Sequence, residues 1–174
     1  VTPDPRNTAV ASIDVVFSEV LTLASLTAAD FQLTRDGGAN LLTGSETVTL
    51  VSGTTYRISG LTSLTGTSGS YTMTASAAAV QDALGNTGSG SAFDSWTVDT
   101  TGPTITDLFD VTPDPRNPAV PSIHVVFSEV FTLASLTAAD FQLTRDGGAN
   151  LIPVSATVTL VSSTPYRLRG LNSL

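Results

Sequence analysis

The chain repeats itself with an offset of 110 residues, and this repeat limits the folds that are open to it. Residues 25–38 return unchanged as residues 135–148, and residues 1–64 differ from residues 111–174 at 13 of 64 positions. The two stretches align without an insertion, and residues 65–110 occur once. A unit of this size can bury a hydrophobic core. We therefore interpret the chain as about one and a half copies of one structural unit.

The differences between the two copies indicate half-buried strands. Ile13, Val15 and Phe17 lie two residues apart, so that they share one face of an extended strand. Asp14 lies on the opposite face, and its counterpart in the second copy is His124. Substitutions that change polarity thus fall on the predicted solvent face, which is typical of an antiparallel sheet with one buried face.

The apolar alternation predicts an all-β fold with about seven strands per 110-residue unit. Turn-forming stretches at residues 3–7, 36–38 and 82–86 separate the strands. Seven short strands in about 100 residues are typical of a β-sandwich. The strands are predicted at about residues 10–18, 31–35, 46–52, 55–60, 70–76, 92–98 and 104–109.

Residues 98–103, which contain Gly102 and Pro103, predict the boundary between two domains. We expect residues 1–99 to form one repeat that lacks its first strand. Residues 100–103 are the predicted linker, and residues 104–174 are a second repeat that lacks its last two strands. Missing strands expose apolar edges, so we expect the second repeat to be unstable in isolation. Alternatively, a neighbouring chain supplies the missing strands by strand addition.

The charge balance limits the partners. Fifteen acidic residues face seven arginines and no lysine, which gives a net charge of −8. This balance disfavours nucleic acid, and the lack of a long apolar run argues against membrane insertion. The chain has no cysteine for a disulfide or a metal site. Asp-rich loops suit calcium, although an acidic surface also serves solubility alone.

No catalytic pattern stands out. His124 replaces Asp14 of the other copy, which indicates a solvated strand position. Glu19 and Asp30 could form a glycosidase pair, but both recur in the repeat, and tandem identical active sites are unusual. No nucleophile elbow is present. We therefore predict that the chain is not an enzyme.

Trp96 and Tyr71 could stack on sugars if they were exposed. However, Trp96 shares a strand face with Val98, and Tyr71 shares one with Met73. This spacing predicts that both rings belong to the core.

Four short segments carry a resemblance to a known family: residues 16–19, the pair at 30–31, the turn at 82–86 and the linker at 98–103. They resemble bacterial immunoglobulin-like (Big-type) tandem repeats of large cell-surface or extracellular proteins. The resemblance implies immunoglobulin-like β-sandwiches and a location outside or on the surface of a bacterial cell. The chain departs from the usual linker, since Gly102 stands where alanine commonly precedes the proline.

Related adhesins bind calcium at domain junctions. Carried over to this sequence, the resemblance implicates Asp99 in the linker together with Asp82 and Asn86 in the turn, and Asp107 more weakly. Carboxylates and backbone carbonyls can supply the oxygen ligands of Ca²⁺. The alternative is that Asp82 and Asn86 only form a tight turn and that Asp99 only caps a strand.

These observations predict a structural or adhesive repeat that acts as a spacer or a filament-forming unit of a bacterial surface protein. Its partners would be neighbouring repeats of the same chain or of identical chains. One alternative is a module that binds a surface glycan or protein ligand, because residues 42–46 differ from residues 152–156 at a predicted loop. Another is an accessory repeat of a large secreted enzyme.

Overall fold

The structure is a computed structural model that describes residues 1–172. It comprises two compact units, Val1–Thr101 and Gly102–Leu174. The division falls inside the stretch that the sequence predicts as a linker. Helix among the described residues is limited to four 3-10 turns, and none of these is long and apolar enough to cross a membrane.

The first unit is a sandwich of two three-stranded antiparallel sheets. One sheet has the order β1-β4-β3 and the other the order β2-β5-β6. This is the B-E-D and C-F-G arrangement of an immunoglobulin-like sandwich. The predicted fold class is therefore confirmed. The strands are β1 (Ser12–Val16), β2 (Phe31–Arg35), β3 (Thr47–Ser52), β4 (Thr55–Ser59), β5 (Gly69–Ser76) and β6 (Ser91–Val98).

The core of the first unit follows the period-two pattern of its strands. Tyr71 and Met73 of β5 point inward, as do Trp96 and Val98 of β6. The rings of Tyr71 and Trp96 stack with centroids 5.6 Å apart and planes 10° from parallel. Both side chains are almost completely buried, so the prediction of core aromatics is confirmed. Neither ring is available to stack on a sugar.

Three buried hydroxyl groups tie loops to this core. The Tyr56 hydroxyl accepts from the backbone N–H of Leu21 (2.7 Å) and donates to its carbonyl oxygen (3.1 Å). The Tyr71 hydroxyl donates to the carbonyl oxygen of Thr67 (2.8 Å). Thr65 Oγ1 accepts from the N–H of Val10 (2.9 Å) in a fully buried position. Such bonds satisfy backbone groups that would otherwise be buried without a partner.

The described part of the second unit forms one four-stranded antiparallel sheet with the order β7-β8-β10-β9. Strands β8, β9 and β10 take the places of β1, β3 and β4 of the first unit, and β7 adds a strand beside β8. The strands are β7 (Ile105–Leu108), β8 (Ser122–Phe127), β9 (Thr157–Leu160) and β10 (Pro165–Arg169).

Identical sequence adopts different structure in the two units. Residues 141–145 repeat the pentapeptide of β2 (Phe31–Arg35), but they do not form a strand. In the first unit β2 pairs with β5 (Gly69–Ser76), and no described residue of the second unit takes the place of β5. A strand needs a neighbour for its backbone N–H and C=O groups. The partner, and not the local sequence, therefore determines this element.

We expect Thr65→Val to destabilise the first unit by about 1–3 kcal/mol, because it leaves the buried backbone groups of Val10 without a partner. Urea unfolding followed by fluorescence measures this directly, since Trp96 is the single tryptophan and lies in that unit.

Thr49→Val is the matched control, because Thr49 is exposed on β3. It should change the free energy of unfolding by less than about 0.5 kcal/mol. Equal effects of the two substitutions would contradict a structural role for the buried hydroxyl.

Candidate functional site

The loop between β5 and β6 contains a hydrogen-bonded turn around Asp82. Its Oδ1 accepts from the N–H of Leu84 (2.8 Å) and of Asn86 (2.8 Å), and its Oδ2 accepts from Asn86 Nδ2 (2.6 Å). The side-chain and backbone bonds from Asn86, followed by that from Leu84, lower the pKa of Asp82. The hydrogen bonds of the carboxylate thus stay within the turn, as expected if Asp82 and Asn86 only form a tight turn.

Asp99 makes a similar local arrangement at the end of β6. Its Oδ1 accepts from the Thr101 hydroxyl (2.8 Å) and from the Thr101 N–H (3.0 Å), and these bonds lower the pKa of Asp99. Its own N–H donates to the carbonyl oxygen of Arg6 (2.8 Å). Asp99 therefore caps the strand end and fixes the start of the following segment.

Within the first unit the structure does not bring Asp82 and Asn86 close to Asp99. Asp82 and Asn86 precede β6 (Ser91–Val98), whereas Asp99 follows it, and eight strand residues span about 26 Å. Asp107 is exposed on β7 of the second unit.

Within residues 1–172 no three His, Cys, Asp or Glu side chains lie close enough together to hold a metal ion. Calcium needs six to eight oxygen ligands. The side chains of Asp82 and Asn86 offer three oxygens, so backbone carbonyls, water or a further repeat would have to supply the other ligands of a calcium ion. A site completed by a further repeat stays a prediction.

His124 is more enclosed than the sequence predicts. It is half-buried, lies edge-to-face against Phe109 at 5.5 Å between ring centroids, and contacts Arg167 through its Nε2. Burial, followed by the charges of Arg167 and Arg169, lowers the pKa of His124. The sequence predicts a solvated strand position, and the side chain is only partly exposed. In the first unit the counterpart Asp14 is exposed and forms a surface ion pair instead.

That ion pair joins Asp14 to Arg57 on the neighbouring strand β4. Arg57 Nε lies 2.6 Å from Asp14 Oδ1, and Arg57 Nη2 lies 2.8 Å from Asp14 Oδ2. The bidentate hydrogen bond, followed by the charge of Arg57, lowers the pKa of Asp14. The pair supports the outer face of the sheet and leaves no free acid or base there for chemistry.

Asp30 has a structural role that accounts for its recurrence. Its Oδ2 accepts from the N–H (2.8 Å) and the hydroxyl (3.1 Å) of Thr27, and this capping box begins the 3-10 turn Ala28–Asp30. Asp140 makes the same contacts with Thr137 in the second unit. The carboxylate is thus committed to a cap rather than to a glycosidase pair.

Glu46 is a buried carboxylate that the sequence reasoning missed. It is 8 % exposed and accepts from the N–H of Thr43 (3.0 Å) and of Gly44 (2.9 Å). Burial acts to raise the pKa of Glu46, but the hydrogen bonds from Thr43 and Gly44 outweigh it and lower that pKa. Its counterpart Ala156 is also 8 % exposed. The difference between Glu46 and Ala156 in this loop therefore reflects packing.

A groove of about 440 Å³ follows the free edge of β1. Val15, Val16 and Phe17 form one wall, and residues 88–92 at the start of β6 form the other. A second cavity of about 180 Å³ shares Val15 and Val16 with this groove and is lined by Phe93 and Asp94. Val16 is 71 % exposed and Phe93 is 75 % exposed, so the edge presents unusual apolar surface.

We expect Asp82→Ala to lower the melting temperature of the first unit equally in calcium and in chelator, because Asp82 already accepts three hydrogen bonds from its own turn. Thermal unfolding followed by Trp96 fluorescence measures this. Asp110→Ala removes an exposed carboxylate outside that unit and should have no effect. If calcium instead raises the melting temperature of the wild-type chain and does not raise that of Asp82→Ala, the calcium hypothesis is established.

Comparison with known proteins agrees with this geometry. Residues 1–97 match the family described as Bacterial Ig-like domain. No curated protein and no solved structure gives a significant match. Domains of this family occur in bacterial surface proteins and are generally non-catalytic. Because the match covers more than half of the 174 residues, the chain belongs to the bacterial Ig-like domain family.

Proposed function

We propose that this chain is a load-bearing spacer in a bacterial surface or extracellular protein, built from near-identical repeats. Family membership supports a structural domain of a bacterial surface protein. The repeat supports an array in which each unit adds a fixed length. The main support for the proposal is the set of hydrogen bonds that joins the two ends of the first unit.

The entering and leaving segments of the first unit lie side by side and run parallel. Arg6 forms a parallel bridge with Val98. The Arg6 N–H donates to the carbonyl oxygen of Thr97 (3.0 Å), and the Asp99 N–H donates to the carbonyl oxygen of Arg6 (2.8 Å). The Thr97 N–H donates to Asp4 Oδ1 (2.8 Å). A force that pulls the two ends apart loads these bonds in shear, so they must break together and not one after another.

The segment that leaves the first unit is anchored as well. The Thr100 N–H donates to Ser68 Oγ (2.9 Å), and the hydroxyls of the two residues lie 2.9 Å apart. With the Asp99–Thr101 bonds, these contacts fix the chain for three residues beyond β6. Force therefore reaches the first unit close to its hydrogen-bonded ends, as a spacer under tension requires.

The alternative of a glycan-binding module receives less support. Trp96 and Tyr71 are buried, and Glu46 in the variable loop is held by its own turn. An accessory repeat of a secreted enzyme would act as the same kind of spacer. The two hypotheses differ only in the domain that the array carries.

Single-molecule pulling on the chain through handles at its two termini tests the proposal. The first unit should unfold in one event that lengthens the chain by about 30 nm, since about 95 released residues span up to about 34 nm and the folded unit already spans a few nanometres. Asp4→Ala removes the acceptor for the Thr97 N–H and should lower the mean unfolding force of that event.

Asp110→Ala is the control for the loss of one acidic residue outside the first unit, and it should leave the force unchanged. Equal unfolding forces for the wild-type chain and Asp4→Ala, or gradual extension without a discrete event, would contradict a load-bearing role.

A further inference from the structure

One cross-strand position carries different chemistry in the two units. In the β8–β10 ladder His124 lies opposite Arg167. In the β1–β4 ladder Asp14 lies opposite Arg57. Arg57 Nε donates to Asp14 Oδ1 (2.6 Å). Arg167 Nε donates to His124 Nε2. The two arginines thus make the same contact, but one acceptor is a carboxylate and the other is an imidazole.

The imidazole makes this contact only in its neutral form. Because Nε2 of His124 accepts a hydrogen bond, it carries no proton, and the single ring proton is on Nδ1. Protonation turns Nε2 into a donor and adds a positive charge next to the guanidinium of Arg167. The contact is therefore lost when His124 takes up a proton, whereas Asp14 accepts from Arg57 as long as its carboxyl group is ionised.

The surroundings of His124 are more basic than acidic. The charged groups that face it come from β7, from β10 and from the segment between β7 and β8: Asp107, Asp110, Arg116, Arg167 and Arg169. The nearest residues of β8 on the same face, Ser122 and Val126, are uncharged. Among residues 1–172 neither acid forms an ion pair with His124. A protonated imidazole would therefore face three arginines and only two unpaired acids.

Phe109 covers the histidine and connects it to β7. The two rings lie edge to face with their centroids 5.5 Å apart, and the N–H of Phe109 donates to the carbonyl oxygen of His124 (3.0 Å). His124 is half-buried in this position. Removing a charged group from water is costly, so a protonated imidazole is driven out of this cover. The neutral side chain thus links β8 to both of its neighbours, β7 and β10.

The two positions titrate in different ranges of pH. Burial, followed by the charges of Arg167 and Arg169, lowers the pKa of His124 from its usual value of about 6.5. In mild acid the unfolded chain therefore binds more protons than the folded chain, and the second unit loses stability as the pH falls below about 6.5. The hydrogen bond from Arg57 lowers the pKa of Asp14, so the contribution of that pair is lost only below the usual aspartate value of 3.8.

We propose that the His124–Arg167 contact is a pH-sensitive switch that holds β7 and β10 on β8 at neutral pH and opens in mild acid. On protonation the imidazole turns from Arg167 toward solvent, and the ring of Phe109 loses its contact. Strand β7 is then loosened at its Phe109 end. The first unit does not respond at this position, because Asp14 and Arg57 stay paired. This inference concerns the response to acid and does not depend on the load-bearing role.

Proton NMR of the full chain tests the titration, because His124 is the only histidine and its ring resonance needs no further assignment. We expect a titration midpoint below pH 6.5 in the wild-type chain. Arg167→Gln removes one positive charge and should raise the midpoint. Arg145→Gln is the matched control, because Arg145 is exposed in the same unit and does not affect the pKa of His124.

Two results of this titration would overturn the proposal. A wild-type midpoint at or above pH 6.5 would mean that the folded chain does not disfavour the charged imidazole, as when Asp107 or Asp110 pairs with it. An unchanged midpoint in Arg167→Gln would mean that the arginine contact does not control the proton.

Solvent exchange of the Phe109 amide, measured by NMR as a protection factor, tests whether the proton loosens β7. Protection should fall at least threefold between pH 7.5 and pH 5.5 in the wild-type chain. His124→Gln keeps an oxygen acceptor for Arg167 and does not titrate, so its protection should stay constant. The amide of Leu41, bonded to Leu33 in the first unit (2.7 Å), is the internal reference. Constant protection of Phe109 in the wild-type chain, or an equal fall in His124→Gln, would overturn the switch.

Discussion

The first unit depends on strand β5 (Gly69–Ser76), which pairs with β2 on one side and with β6 on the other. Its inward residues Tyr71, Met73 and Ala75 are buried in the centre of the core, and the Tyr71 ring stacks on Trp96 of β6. The Tyr71 hydroxyl also fixes the loop before the strand through Thr67. Without β5 the backbone of β2 has no partner, as residues 141–145 of the second unit illustrate.

The polar groups of the two units serve the backbone more than they serve chemistry. Asp82, Asp99, Asp30 and Glu46 each accept hydrogen bonds from nearby backbone N–H groups. Such carboxylates cap turns and strand ends, and these bonds lower the pKa of Asp82, Asp99 and Glu46. The backbone also joins the two ends of the first unit, where Arg6 forms a parallel bridge with Val98.

The fold was predictable because period two is a local signal. Ile13 and Val15 against Asp14, and Tyr71 and Met73 on one face, suffice to place strands and core. The long-range contacts were not predictable in this way. Thr65 is buried and bonds to Val10, 55 residues away in the chain, and His124 is covered by Phe109 across a strand pair. The separation of Asp82 from Asp99, in contrast, already followed from the strand predicted at about residues 92–98, which lies between them.

Amide hydrogen exchange by NMR on the full chain tests most directly whether strand partners determine structure here. The N–H of Leu33 donates to Asn40, so alternation directs the amides of Gln32 and Thr34 toward β5. These two amides should be strongly protected, whereas those of Gln142 and Thr144, in an identical pentapeptide without that partner, should exchange rapidly. Equal protection in both copies would contradict the account, because local sequence would then be sufficient to form the strand.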